Sequence, residues 1–337
     1  MSSATRPAPA RPVPVLPART CIVGGAGFIG SHFVDRLLGD PSVEAVTVYD
    51  NFSSGRHWHL EGHVEDERLR VVEGDVRDLD TLVKTMEGAD TVVHLASNPD
   101  IARAATEPAV DFDQGTLLTH HVAEAARLTG VTRVLYASGS GVYGDLGEVE
   151  ADEDHGPLIP VSTYGASKLA GEALLASYCF MFDLNACVFR FGNVVGPRQT
   201  HGVGFDFLRR LLDDPAQLAI LGDGRQSKSY VHVSDIVDAV LLAGDRAPRP
   251  FAAFNVATGD YITVTEIADL VVEVLGIDPP AYRYTGGDRG WRGDVPVVRI
   301  ATDRIRALGW ANAMTSRQAL EASLRAMLPD ARAGRFR

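Results

Sequence analysis

Tyr164 and Lys168 stand four residues apart in Tyr164-Gly165-Ala166-Ser167-Lys168, at the head of a stretch whose spacing predicts a helix over Tyr164 to Tyr178. Positions i and i+4 share one helix face, so the phenol and the ammonium point the same way. A free phenol titrates near ~10, and a neighbouring ammonium favours phenolate, which makes Tyr164 a candidate base near neutrality. Such pairs occur by chance on many helices. Their meaning depends on what precedes them.

What precedes them is Gly24-Gly25-Ala26-Gly27-Phe28-Ile29-Gly30, which follows a β-branched run and opens a helix with an apolar face at Phe28, Ile29, Phe33 and Leu37. Glycines there allow a tight turn, let the backbone approach a pyrophosphate, and pack helix against strand. Free N–H groups and the macrodipole at the helix start favour the phosphates. Asp50 lies 20 residues after Gly30, at the end of the next strand, where a carboxylate accepts both hydroxyls of an adenosine ribose and repels a 2′-phosphate. Together these signals predict NAD in preference to NADP. Asp75 and Val76 after the third strand offer a carboxylate and an amide to the adenine edge, and Leu95-Ala96-Ser97 after the fourth give the nicotinamide ribose a surface of backbone. Ala137 and Phe191, at the ends of the fifth and sixth strands, complete the expected cofactor set; His94 reads as a core histidine.

These residues need a scaffold that brings strand ends together. From residue 19 onward, β-branched runs alternate with helical stretches, predicting strands at Arg19 to Gly24, Ala45 to Tyr49, Leu69 to Glu73, Thr91 to Leu95, Arg133 to Ser138 and Ala186 to Phe191. The expected fold class is α/β: a Rossmann-like doubly wound parallel sheet with a smaller C-terminal α/β substrate lobe. The expected boundaries are a flexible, proline-rich arm at 1–18, a cofactor domain at 19–192, a substrate lobe over 193–330 and a tail at 331–337. The second lobe is assigned helices at Phe205 to Leu212, Val264 to Leu275 and Arg317 to Leu328, with strands at Leu218 to Leu221 and Phe254 to Val256.

With 337 residues, 45% hydrophobic and 23% charged, the chain has a globular composition and supports a core without disulfides or structural metal. The formal charge of -12 repels nucleic acid and anionic lipid at long range. Cys21, Cys179 and Cys187 show no metal-ligand spacing, and no apolar run nears the ~18 residues of a membrane span. The expectation is a reduced, cytoplasmic protein with no metal, nucleic-acid or membrane partner.

Over residues 19 to 328 the chain resembles the extended short-chain dehydrogenase/reductase family and, within it, the nucleotide-sugar epimerases and dehydratases. The likeness rests on the glycine loop, Asp50-Asn51-Phe52-Ser53-Ser54-Gly55, Gly74-Asp75-Val76-Arg77-Asp78, Val142-Tyr143-Gly144, the Tyr164–Lys168 pair, Asn193-Val194-Val195-Gly196-Pro197-Arg198 and Gly222-Asp223-Gly224-Arg225-Gln226. The run from Asp50 to Gly55 is most similar to UDP-hexose 4-epimerases, and it adds Asn51, Phe52, Ser53, Ser54 and Gly55 to the expected cofactor contacts. The resemblance implies that Tyr164 takes the proton of the sugar 4-hydroxyl while hydride passes from C4 to NAD, with Lys168 holding the ribose and lowering the phenol pKa. A transient 4-keto sugar turns over and is reduced on its other face.

Family 4,6-dehydratases carry Asp and Glu three and two residues before the Val-Tyr-Gly tyrosine, and UDP-glucuronate decarboxylases carry Glu at the second of these places. Here they are Ser140 and Gly141, which favours epimerisation. The epimerase Ser or Thr four residues before that tyrosine is Gly139, so Ser138 or Ser140, or water, must serve instead. For the diphosphate the resemblance points to Asn193, Lys228, and Arg289 or Arg292, with Tyr230 beside them; Arg198 and Thr200 fall near the hexose. UDP-glucose/UDP-galactose and UDP-glucuronate/UDP-galacturonate both remain open. Alternatives are a dehydratase or decarboxylase, or a non-catalytic NAD-binding sensor. Relatives dimerise through two helices per subunit, here Asp113 to Leu128 and Tyr164 to Tyr178, as a four-helix bundle.

Overall fold

The computed structural model describes residues 13–98 and 101–335. Strands β1 (Arg19–Val23), β2 (Ala45–Asp50), β3 (Leu69–Glu73), β4 (Thr91–His94), β5 (Arg133–Gly139) and β6 (Asn185–Phe191) each lie within one residue of the sequence reading. They pair in parallel in the order β6-β5-β4-β1-β2-β3. A sheet covered on both faces needs apolar residues throughout, and β1 and β4 show this with Cys21, Ile22, Val23, Val92 and Val93 buried. The strand order reverses between β1 and β4, so the crevice at their carboxyl ends is where a ligand belongs. Helices α1 (Phe28–Leu38), α2 (Leu79–Met86), α3 (Leu117–Thr129) and α4 (Thr163–Phe182) connect these strands.

Beyond β6 the chain enters the smaller lobe through β7 (Asn193–Val195), α5 (Val203–Asp213), β8 (Gln217–Ile220), β9 (Ser227–Lys228) and β10 (Tyr230–His232). It then returns. Helix α6 (Val233–Arg246) packs against α1, and β11 (Phe251–Val256) pairs with β6 as a seventh parallel strand of the main sheet. The expected cut at 192, with the strand near Phe254 in the second lobe, is thereby corrected. Residues Ala252 to Val256 are all buried, which a solvent-facing two-stranded ribbon does not offer and the flank of β6 does. After β11 the chain re-enters the small lobe with β12 (Ile262–Thr263), α7 (Val264–Leu275) and β13 (Ala281–Tyr284), comes back to the sheet lobe with the short α8 (Asp303–Ala307), which packs on β11 and puts Ile305 and Trp310 into the main core, and ends in the small lobe with α9 (Ser316–Arg332). Ribbons β7/β10, β8/β13 and β9/β12 and one apolar cluster including Phe205, Leu208, Ile267, Val271 and Leu320 hold that lobe together.

Three further differences have local causes. Helix α4 runs on past Tyr178 because Phe180, Met181 and Phe182 continue it with apolar side chains facing solvent, so no polar face marks the continuation. The helix expected over Asp113 to Leu128 begins with a wide turn at Phe112–Thr116, where α4 comes so near that a Cβ on Gly115 would lie 2.6 Å from Ser167 Oγ. At the N-terminus, residues 1–12 of the expected arm lie outside the described residues. The rest of the arm docks, with Val15 N–H donating to Asp245 Oδ2 (3.2 Å) and Leu16 on the main core. Of the expected tail, Arg332 ends α9, Arg335 lies over the Trp58 ring at 5.5 Å, and residues 336–337 fall outside the described residues. Among the described residues no helix is long and apolar enough to cross a membrane.

Candidate active site

A cavity of about 970 Å³ opens at the carboxyl ends of the strands and is lined by both lobes. Its dinucleotide end is made largely of backbone. Gly24 has φ +85°, and a Cβ there would sit 2.8 Å from Ala96 N; one on Gly30 would sit 2.4 Å from Gly24 O. The loop is tied to the next strand through Asp50, whose Oδ2 accepts from Ala26 N–H and Oδ1 from Phe52 N–H, both at 2.9 Å. Burial raises the Asp50 pKa and these backbone donors oppose the rise. A carboxylate keeps further lone pairs for hydroxyl donors.

Gly24, Gly27, Phe28, Ile29, Gly30, Asn51, Ser53 and Ser54 line the same end, as do Asp75, Val76, Leu95, Ala96, Ser97, Ala137 and Phe191. Phe52 and Gly55 do not. The Phe52 ring stacks on His57 at 4.0 Å, and Gly55 packs behind Asp50, where a Cβ would lie 2.9 Å from Oδ1. The Asp75 carboxylate is forked by Arg77 (3.0 and 2.6 Å), which brings its pKa down to about 2. A cradle with no room for Cβ atoms, a carboxylate on the second strand and small residues after the fourth fit NAD.

Tyr164 and Lys168 face the cavity from the first turns of α4, whose start is capped by the Ser162 hydroxyl accepting from Gly165 N–H (3.1 Å). Lys168 Nζ donates to Ala137 O (2.8 Å), and burial lowers its pKa to about 8 against the pull of Asp111 and Glu172. Tyr164 is pushed up to about 12 by burial. The sequence reading had Lys168 lower the phenol; in the protein alone the group opposing the rise is the hydroxyl of Ser97, while Asp111 adds to it. Lys168 is tethered instead to the strand backbone.

Ser138 borders the cavity, but its hydroxyl donates to Glu172 Oε1 (2.5 Å). Glu172 is in turn bridged by Arg190 Nη2 (2.7 Å), and Arg190 Nη1 donates to Tyr143 Oη (2.9 Å), which donates to Asn255 Oδ1 (2.8 Å). This buried network removes Ser138 as a free hydroxyl, because an ion pair out of water holds its donors tightly. Sequence reasoning passed over Glu172 and Arg190. The available signal was an acid one turn beyond Lys168 on the same helix face. Ser140 lines the cavity, and nothing lies within 4 Å of a Cβ built on Gly139.

At the small-lobe end, Asn193, Thr200, Lys228 and Tyr230 line the cavity. Lys228 is already paired, its Nζ 2.7 Å from Asp294 Oδ1. Arg198, Arg289 and Arg292 are not on the wall, which corrects their expected roles. Arg198, at φ +64°, turns its guanidinium onto the Asp35 carboxylate of α1 and the His59 carbonyl (2.8 Å). Arg289 bonds Asp294 O (2.7 Å) and Asp145 Oδ2 (2.6 Å), and Arg292 points to solvent. Cations that sequence reasoning did not assign line the cavity: Arg77, Arg103 and Arg210. Arg210 lies on α5 beside the buried Phe207 and Leu211, and the polar side of that amphipathic helix was its available signal. Among the described residues no group of three or more His, Cys, Asp or Glu is arranged to hold a metal ion.

A doubly wound sheet with a dinucleotide cradle at its switch point and a Tyr–Lys pair facing the same crevice defines an NAD-using enzyme of the extended short-chain dehydrogenase/reductase type. The NAD dependent epimerase/dehydratase family model matches residues 20–257, and the chain belongs to that family. The UDP-glucose 4-epimerase of Mycolicibacterium smegmatis is 35% identical over 300 residues, covering 87% of this chain and 93% of the relative. A dTDP-glucose 4,6-dehydratase of Actinoplanes sp. is 32% identical over 271 residues, covering 78% and 83%. Among solved structures, a UDP-galactose 4-epimerase superposes with a TM-score of 0.81 at 36% identity, covering 93% of this chain and 99% of that one.

Proposed function

We propose that the protein is a nucleotide-sugar 4-epimerase acting on a UDP-hexose or UDP-hexuronate, with the sheet lobe holding NAD and the smaller lobe the nucleotide sugar. The observation that carries this reading is the cavity wall at Ser140 and Gly141, where a dehydratase needs an acid and a base and this chain has neither. NAD, when bound, accepts a hydride from C4 and returns it. Tyr164 removes the proton of the 4-hydroxyl and gives it back on the opposite face. Lys168, fixed on Ala137 O, presents a donor and a positive charge beside the ribose, which favours phenolate at Tyr164. Asn193 and Lys228 meet the diphosphate, with Lys228 exchanging Asp294 for phosphate.

The test is incubation with a panel of UDP-sugars, reading product mass and stereochemistry together. An inverted centre at C4 with unchanged mass supports the reading. Loss of water or carbon dioxide shows a dehydratase or decarboxylase, and unchanged turnover in Tyr164→Phe shows that the pair is not catalytic.

The same reading includes a homodimer. Phe180, Met181 and Phe182 at the end of α4 are exposed, Phe180 by 73% and Met181 by 70%, as are Leu128 near the end of α3 and Phe112 before its start, and large apolar side chains left to solvent on these two helices support a contact surface. Sedimentation of the wild type against Phe180→Glu/Met181→Glu tests it. Free buried thiols at Cys21, Cys179 and Cys187 agree with a reducing, cytoplasmic setting.

A further inference from the structure

A base that exchanges a proton with a sugar hydroxyl works best beside a second hydroxyl that can donate to its anionic form. The end of β5 does not readily supply one. Gly139 has no side chain, and Ser138 is committed to Glu172 at 2.5 Å. Ser140 is the remaining hydroxyl on that edge.

On the facing edge, just past β4, Ser97 lines the same cavity. Its Oγ is shielded from solvent and has no hydrogen-bond partner among the described residues. An unpaired buried hydroxyl is costly, so it marks a place where something else completes the bond. The neighbour it can serve is Tyr164, which lines the same cavity and whose phenol burial pushes up to about 12, a rise that a donating hydroxyl opposes.

The two side chains are also fixed relative to one another. Leu95 and Ala96 donate their N–H groups to Val23 O (2.8 and 3.0 Å), anchoring the segment before Ser97 to β1. The next residue, Asn98, donates from Nδ2 to Asp111 Oδ1 (2.9 Å), and Asp111 Oδ2 accepts from Thr163 Oγ1 (2.7 Å), one residue before Tyr164. Ser97 is thus braced on one side to the central sheet and on the other to the start of α4.

We propose that Ser97 is a catalytic residue: its hydroxyl donates to the Tyr164 phenolate and shares in the hydrogen bonding of the substrate hydroxyl, doing from the β4 edge what Gly139 cannot do from β5. The proton balance closes without Ser97 gaining or losing one. Before deprotonation it donates to the phenolate oxygen; afterwards the sugar's proton sits on Tyr164 and Ser97 accepts from the neutral phenol. This rests on the epimerase reading for its substrate, but not for its effect on Tyr164.

The experiment therefore has two arms on the NAD-loaded protein. In the first, without substrate, the ultraviolet titration of Tyr164 is isolated as the difference between each protein and its Tyr164→Phe counterpart; Ser97→Ala is expected to raise its midpoint by about one pH unit. In the second, Ser97→Ala is expected to lower kcat roughly 10- to 100-fold and move the acid limb of the pH profile upward, at unchanged NAD content. Adding Gly139→Ser to Ser97→Ala is expected to recover much of the rate. Gly139 is extended (φ −159°, ψ 161°), with open space around its Cβ position, so the new hydroxyl fits. An unmoved Tyr164 titration in Ser97→Ala overturns the proposal whether or not any UDP-sugar turns over. Loss of NAD from Ser97→Ala also overturns it, in favour of a ribose contact, and so does a shifted profile in Ser140→Ala but not in Ser97→Ala. If the titration moves yet no UDP-sugar is epimerised, the epimerase reading fails and the pairing of Ser97 with Tyr164 stands.

Discussion

The two ends of the cavity recognise charge by opposite means. At the dinucleotide end the positive character comes from backbone N–H groups of a loop held open by glycines, and Asp50 locks that loop from behind through Ala26 N–H and Phe52 N–H. At the small-lobe end it comes from side chains already engaged, Lys228 on the Asp294 carboxylate and Arg210 on the Ala219 carbonyl. The first end is set before its ligand arrives and has little to rearrange. At the second, Lys228 must exchange one anion for another, so its contact adds the difference between two ion pairs rather than the whole of one. A resident cofactor suits the first arrangement, and a ligand that exchanges suits the second.

This contrast can be broken most severely at Gly30. Its Cβ would stand 2.4 Å from Gly24 O, a backbone atom that cannot yield, so Gly30→Ala is expected to lose bound NAD and with it all turnover, as read by cofactor content after gel filtration. Tyr164→Phe should separate binding from chemistry: NAD content unchanged, with kcat lower by about 10²- to 10⁴-fold. At the other end, Lys228→Met should leave NAD content and kcat in place and raise KM by roughly 10-fold, while Asp294→Asn, which frees the lysine, should lower KM.

The pH dependence sharpens the boundary between the two ends. Burial brings Lys168 to about 8, so its charge is present below that pH and lost above it. Turnover is expected to fall as pH rises through 8, and Lys168→Arg, charged throughout, should lose this alkaline limb even at a lower overall rate. The smallest effect belongs to Arg292→Ala, whose side chain points to solvent; its KM should stay within about twofold of wild type, since exposed charges contribute little.

The same contrast explains what the sequence made legible. The dinucleotide end is written in contiguous residues, Gly24 to Gly30 and Asp50 to Ser54, because strand, turn and helix start follow one another in the chain. The Tyr164–Lys168 pair is equally local, four residues on one helix. The substrate end depends on which acid meets which base across the fold: Lys228 finds Asp294, Arg289 finds Asp145, and Arg198 is drawn to Asp35 on α1. No local pattern encodes such partners. Ser138 was misread for the same reason, since its hydroxyl answers to Glu172 and Arg190 on neighbouring elements. Strand β11 was seen as a strand but given to the wrong lobe, because pairing with β6 is a property of the finished sheet.

That return of the chain through α6 and β11 bears on how the molecule can be taken apart. The polypeptide passes from the sheet lobe to the small lobe near residue 192, comes back near 233, crosses again after 256, and returns once more at α8 before α9, so no single scission yields two self-sufficient halves. A fragment ending at 192 would present the bare flank of β6 to solvent and lack the helix that covers α1. Exchanging the small lobe between relatives would therefore require grafting three separated segments at once, with the stretch from Val233 to Val256 and the turn of chain around α8 left behind in their host.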